Sequence, residues 1–271
     1  MRLVRTPREE MEPGISHQGA APRLFKSCFA AADFKTPWHF IHCCVFPPGS
    51  GIGHHRHLHA EELFVTVDNA AQFTHNGRTT EVTGAAAVPL RSGESHAIYN
   101  HTQSDTRFYN FKVVDLHQEP VTTNFDDSRA DAPLESADRL PIGCLDRTLL
   151  KPAQSHGGKG EILVRMVWTA ADFTTNFGFL AHAIMPPGTS VGYHRHDTIE
   201  EVYVIMNGCG RMTMDDATEE VHPGDVILNR LGGSHGIYNH TDEELEFFAV
   251  AVCMKKGQTD ATNHGDDLTD R

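Results

Sequence analysis

Apolar residues fall along this chain in brief runs rich in β-branched and aromatic side chains. "GFLAHAIM", "EVYVIM", "RMTMDD", "DVILN", "HGIYNH" and "LEFFAVAVCM" are examples, each closed off by Gly, Pro, Asp or Asn. Runs of this length with turn residues between them predict strands, and no stretch carries the longer apolar period of an amphipathic helix. "HNGR" (His75–Arg78) predicts a two-residue hairpin turn, because Asn-Gly suits the positive φ such turns need. Strands in this number predict an all-β sandwich or barrel.

The pattern occurs twice. "PPGSGIGHHRHLHAEELFV" from Pro47 matches "PPGTSVGYHRHDTIEEVYV" from Pro186, an offset of 139 residues. "RSGESHAIYNHT" from Arg91 matches "RLGGSHGIYNHT" from Arg230, and "AADF" from Ala31 matches "AADF" from Ala170, both at the same offset of 139. One register held over three separated segments marks a duplicated unit. The expected division is an N-terminal arm (1–22), a first barrel (23–115), a connector (116–160), a second barrel (161–254) and a polar, mobile tail (255–271). The connector is rich in Pro, Asp and Ser and is expected to hold a short helix near Pro133–Arg139.

Charge narrows the partners. A net charge of −13 argues against nucleic acid and against a polybasic membrane contact. No window approaches the ~20 apolar residues of a membrane helix, and the first residues lack the apolar core of a signal peptide. The six cysteines form no C-x-x-C pair, so reduced thiols and a cytoplasmic location are expected. A homodimer is a further expectation, since barrels present sheet edges that arms such as residues 1–22 cover.

Nineteen histidines are many for 271 residues, and several sit in the repeat. Strand side chains alternate faces, so His194 and His196 share one face, and a regular strand places Glu200 with them and Glu201 opposite. His55, His57 and Glu61 have the same relation, with Glu62 opposite. Val202 and Val204, like Leu63 and Val65, then continue the inner wall. A carboxylate turned into a barrel costs several kcal/mol unless paired, and a bound cation removes that cost. Neutral imidazole with carboxylate is a common donor set for divalent metals. His96 and His235, related by the same offset, supply the fourth member of each set.

These residues resemble the cupin superfamily. Its first motif, G(x)5HxH(x)3–4E(x)6G, is met by Gly188, His194, His196 and Glu200, with Gly208 one residue late. Its second motif is met by Gly224, Gly232, His235 and Asn239, with Arg230 where proline is usual. The first unit offers Gly49, His55, His57, Glu61, Gly93, His96 and Asn100, with Arg91 at the proline position and Asn69 where Gly208 stands. The resemblance implies two tandem double-stranded β-helix (jelly-roll) barrels, a bicupin. It also implies two metal sites: His55, His57, Glu61 and His96; and His194, His196, Glu200 and His235.

Three histidines and one glutamate leave two positions of an octahedral ion open to substrate, water or O₂. That suits Fe(II) first, with Mn(II), Ni(II), Zn(II) or Cu(II) as alternatives. The expected function is a non-haem dioxygenase acting on a small molecule that chelates the metal. The alternatives are a metal-dependent isomerase, epimerase or lyase on a sugar or hydroxy acid, and a non-catalytic binding bicupin. His59 is a candidate proton shuttle or a plain loop histidine. Arg91 and Arg230 are candidates to hold a substrate carboxylate or to pair with an outward acid. Asn100 and Asn239 are expected to tie turns, and Cys43, Cys44 and His42 to fill the core or line the pocket. The second unit keeps more of the family pattern and is expected to hold the working site.

Overall fold

A computed structural model describes residues 2–136, 140–215 and 217–271. The runs noted above form strands, and the helical turns among the described residues are short 3₁₀ segments. His75 and Arg78 close the expected hairpin, with Asn76 and Gly77 both at positive φ. Residues 137–139 of the expected connector helix lie outside the described residues. Pro133–Ser136 are not helical, and Leu134 makes an isolated bridge to Thr79.

Each barrel pairs a seven-stranded sheet with a five-stranded one. In the first barrel the larger sheet centres on Ala60–Thr66, Thr106–Val114 and Trp38–Phe46, and the smaller on Gly51–Leu58 and Ser95–Tyr99. In the second, Ile199–Asn207, Leu245–Cys253 and Phe177–Met185 face Ser190–Arg195 and Ser234–Tyr238. Every ladder between these strands is antiparallel.

The arm and the connector exchange strands between barrels. Leu3–Val4 pairs with Val226–Asn229 of the second barrel, and Gly143–Cys144 pairs with Ala86–Leu90 of the first. The tail is also built in: Thr262–Asn263 pairs with Ser190–Arg195, and Leu268 is buried. Sheet edges that would otherwise stay unpaired are covered within one chain. Deleting residues 1–6 removes the Leu3–Val4 ladder and the Thr6 hydroxyl bond to the Gly224 carbonyl (2.6 Å). At about 1 kcal/mol per hydrogen bond, the midpoint of thermal unfolding should fall by about 4–8 °C. Differential scanning calorimetry checks this, and an unchanged midpoint would show the exchanged strand to be dispensable.

A large apolar core lies between the barrels and draws on both. It joins Phe34, Trp38, Leu63, Val65 and Phe111 to Phe173, Phe177, Val202, Val204 and Phe248. This corrects one expectation: Val202, Val204, Leu63 and Val65 do not line the barrel interiors. Their neighbours do, with Phe64 in the core of the first barrel and Tyr203 and Ile205 in that of the second.

Candidate metal centres

The reversal of faces begins between the HxH pair and the glutamates. Gly51–Leu58 ends just before His59, which sits at φ 61°, and the next strand starts at Ala60. A left-handed residue between two strands re-aims the chain. In the second unit the strand likewise stops at Arg195 and resumes at Ile199. Parity is lost across each break, and the second glutamate of each pair turns inward.

Two buried groups result, His55, His57, Glu62 and His96 in one barrel and His194, His196, Glu201 and His235 in the other. One ligand atom from each member lies within 4.8 Å of all the others. The expected carboxylates, Glu61 and Glu200, are not in these groups. Both are buried, but they reach across to the opposite barrel. Glu61 accepts from the backbone N–H of Thr174 (2.9 Å) and Thr175 (2.7 Å) and from both hydroxyls. Glu200 accepts from the N–H of Lys35 (3.0 Å) and Thr36 (2.9 Å) and from the Thr36 hydroxyl (2.7 Å). Each carboxylate is an anionic clasp over two neighbouring backbone amides.

The imidazoles are prepared to donate lone pairs. His55 and His194 hold Nδ1 at 2.8 Å from the carbonyls of Gly53 and Gly192, and His96 holds its Nδ1 3.2 Å from that of Glu94. His196 does the same toward Asp260, in the tail. A carbonyl only accepts, so each Nδ1 carries the proton and each Nε2 presents its lone pair. In the second centre Nε2 of His194 lies 3.0 Å from Nε2 of His196 and of His235. Three lone pairs converging with a buried carboxylate fit a divalent cation. Burial, helped by the neighbouring His96, holds His55 well below the usual imidazole range; burial and the nearby His235 and His156 lower His194 to about 2. Neutral imidazole is the form that binds metal.

A further histidine stands behind each centre, and the sequence reasoning overlooked both. His17 stacks on His55 with ring centroids 3.7 Å apart and meets Asn124 Oδ1 at 2.7 Å. His156 stacks on His194 at 3.6 Å and meets Asn263 at 3.2 Å. They obey the same offset of 139 ("SHQG" and "SHGG"), which was the available signal. The motif asparagines do tie turns: Asn100 Nδ2 donates to the carbonyls of Phe46 and Ser104 (both 2.7 Å), and Asn239 repeats this with Met185 and Glu243.

The two centres differ in what surrounds them. The first opens into a cavity of about 220 Å³ whose wall includes Arg23, Phe40, His42, Asn110, Lys112 and Thr122. Lys112 is the cross-strand partner of Glu62. Its ammonium lies 3.4 Å from Glu62 Oε1 and 3.2 Å from both ring nitrogens of His57. Burial alone would raise the Glu62 carboxyl, but His57 and Lys112 hold it well below the usual carboxylate range. In the second unit the partner of Glu201 is Ala251, and Ile162, Ala181 and Ala249 occupy the positions of Arg23, His42 and Asn110. His42, with the family histidines, is thus a pocket residue, while Cys43 and Cys44 are core.

The three candidate catalytic side chains are placed elsewhere. His59 faces a separate cavity of about 600 Å³ together with Thr174, Thr175 and Lys256. Arg91 donates from Nε to the Asp172 carbonyl (2.8 Å) in the other unit. Arg230 is exposed, and its charge acts on Asp33, so it too lies toward the seam between barrels. None of the three lines the first centre's cavity.

Two jelly-roll barrels, each holding three imidazoles and one carboxylate, define a metal-binding protein of two tandem units. A cupin-domain family model matches residues 181–251. Over 98 residues the chain is 33% identical to the oxalate-binding protein of Thermotoga maritima, a stretch covering 36% of this chain and 81% of that protein. Among solved structures, oxalate decarboxylase from Bacillus subtilis aligns with TM-score 0.61 and 14% identity, over 97% of this chain and 78% of that one. A variant of salicylate 1,2-dioxygenase from Pseudoaminobacter salicylatoxidans aligns with TM-score 0.64 and 10% identity, over 84% and 74%. The chain belongs to the cupin family, as a two-barrel member. No helix among the described residues is long and apolar enough to cross a membrane.

Proposed function

We propose that the protein is a metal-dependent enzyme acting on a small organic substrate that chelates the ion, and that its working centre is His55, His57, Glu62 and His96. The observation that carries this is the contrast between units. Two matching ligand sets are present, and the cavity at the first is lined by Arg23, Asn110 and Lys112, at positions where the second unit has Ile162, Ala249 and Ala251. Binding groups beside open coordination positions serve a substrate, whereas alanines serve packing. This reverses the preference that the motif pattern gave to the second unit. The second centre then holds its ion for structure.

A divalent ion in the first centre would supply Lewis acidity and, with iron or manganese, access to O₂ chemistry. Four protein ligands leave two positions. In the dioxygenase form Phe40 and Ile52 would keep the wall beside the ion apolar and help exclude water. The second reading is a lyase or isomerase, for which the ion would supply Lewis acidity alone. Lys112 favours it, because an ammonium next to the ligands can deliver a proton. Similarity to a protein named for oxalate binding supports a small chelating acid in either form.

The test is elemental analysis followed by turnover with iron- or manganese-loaded protein, with and without oxygen, across small hydroxy, oxo and dicarboxylic acids. Oxygen uptake supports the dioxygenase form, and anaerobic turnover the lyase form. His55→Ala is expected to abolish turnover and His194→Ala to spare most of it; the reverse pattern would assign catalysis to the second unit. Protein that takes up no metal and turns over nothing would leave a binding role in its place.

A further inference from the structure

From the first centre's cavity we infer a substrate class: a dianion, chelating the metal with one end and presenting a second anionic group to Arg23. This rests on the first centre being the working one.

Arg23 is only 8% exposed, lines the cavity with the metal group, and has buried Nε and Nη1 atoms without a hydrogen-bond partner. Its guanidinium carbon stands 4.4 Å from the centroid of Phe25, a contact that holds the plane but satisfies no N–H. Phe25 packs on His42, and His42 stacks on Phe40 at 4.0 Å, so the wall from Arg23 toward Lys112 is a continuous layer of rings. Lys112, 6% exposed, lies over Phe40 at 5.6 Å.

The charges decide the class. Around the cavity stand Arg23, Lys112 and Glu62. Burial first, and then the Arg23 charge, lower the pKa of His42 to about 4, so it adds no charge near neutrality. With a divalent ion in place, Glu62 balances part of the ion's charge and no longer serves Lys112. Two buried side-chain cations are then left without an anion, an arrangement a folded protein keeps only for a ligand. A chelating monocarboxylate satisfies the ion and Lys112 but leaves Arg23 unpaired. A second carboxylate, or a comparable anionic group, meets the guanidinium bidentately.

The experiment compares lactate with malate, which share a 2-hydroxycarboxylate head and differ by one carboxylate. Isothermal titration calorimetry on the full chain loaded with zinc gives both affinities without turnover. Malate is expected to bind at least about tenfold more tightly, the size of a charge-assisted pair. Arg23→Leu should bring malate to within about twofold of lactate, and Arg23→Lys should restore part of the difference. A wild-type ratio near one, or an Arg23→Leu protein that keeps its preference for malate, overturns the proposal. Should Arg23→Leu fail to fold, the wild-type ratio decides alone. Lactate binding that requires zinc upholds the metal reading even when the ratio is near one. Zinc absent from the first centre overturns both.

Discussion

Glu62→Gln is expected to lose one of two bound metal equivalents, while Glu61→Gln, one residue away, loses none and instead melts early. Glu62 stands with His57 and His96, at 3.2 and 3.3 Å, and is the only carboxylate of its group. Glutamine keeps its shape but surrenders the anionic donor that a hard cation needs. Glu61 accepts two backbone N–H groups and two hydroxyls from Thr174 and Thr175. Glutamine there points an NH₂ at donors and leaves a buried amide unpaired. That costs about 3 kcal/mol or more, or roughly 6–12 °C in the midpoint of thermal unfolding. Elemental analysis beside calorimetry on both variants, and on Glu201→Gln and Glu200→Gln, separates the roles. Metal lost from Glu61→Gln and kept by Glu62→Gln would restore the opposite assignment.

That contrast also shows where sequence reasoning stopped. The offset of 139 disclosed the duplication and both histidine sets, because sequence spacing survives folding unchanged. Facing does not survive it. Strand parity selected Glu61 and Glu200, and it failed because the chain breaks its strand at His59 and again after Arg195. The glutamate that faces the histidines could be read from the same motif. Counted from Glu201, Gly208 falls after the usual six residues; counted from Glu200 it falls one late. Gly208 sits at φ 73°, and Asn69 at 50° in the other unit, so the turn fixes the register of the strand before it.

Other features needed the fold itself. His17 and His156 lie in segments that look like an arm and a connector, and the short strands before them, Glu12–Gly14 and Lys151–Ala153, pair with the same barrel's Arg23–Ala30 and Ile162–Thr169, which brings both histidines to the ligands. Lys112 belongs to no motif. Only the ladders show that the inward glutamate faces Lys112 across the strands in one centre and Ala251 in the other. The family pattern, which is richer in the second unit, records the barrel's turns more than its chemistry.

Lys112→Met should tighten metal binding at the first centre by at least about tenfold and leave the second unchanged. In the wild type a chelator should therefore strip the two centres in separate steps, the first centre emptying earlier. The ammonium holds Glu62 at 3.4 Å and contacts His57, so an incoming divalent ion must both displace it and tolerate its charge. Two unit charges 4 Å apart repel by about 4 kcal/mol at an effective dielectric constant of 20, and a divalent ion meets more. Retreat of the flexible side chain recovers most of this, which leaves a factor of ten or more. Methionine keeps length and apolar packing without the charge. The same repulsion has a consequence for turnover. An anionic substrate that pairs with Lys112 removes it, so substrate and metal must each raise the other's affinity by an equal factor. Titrating zinc with and without malate measures that factor, which should exceed one in the wild type and fall toward one in Lys112→Met. Equal metal affinities at both centres, unaffected by Lys112→Met, would mean that the ammonium swings clear of the ion and takes no part in holding substrate.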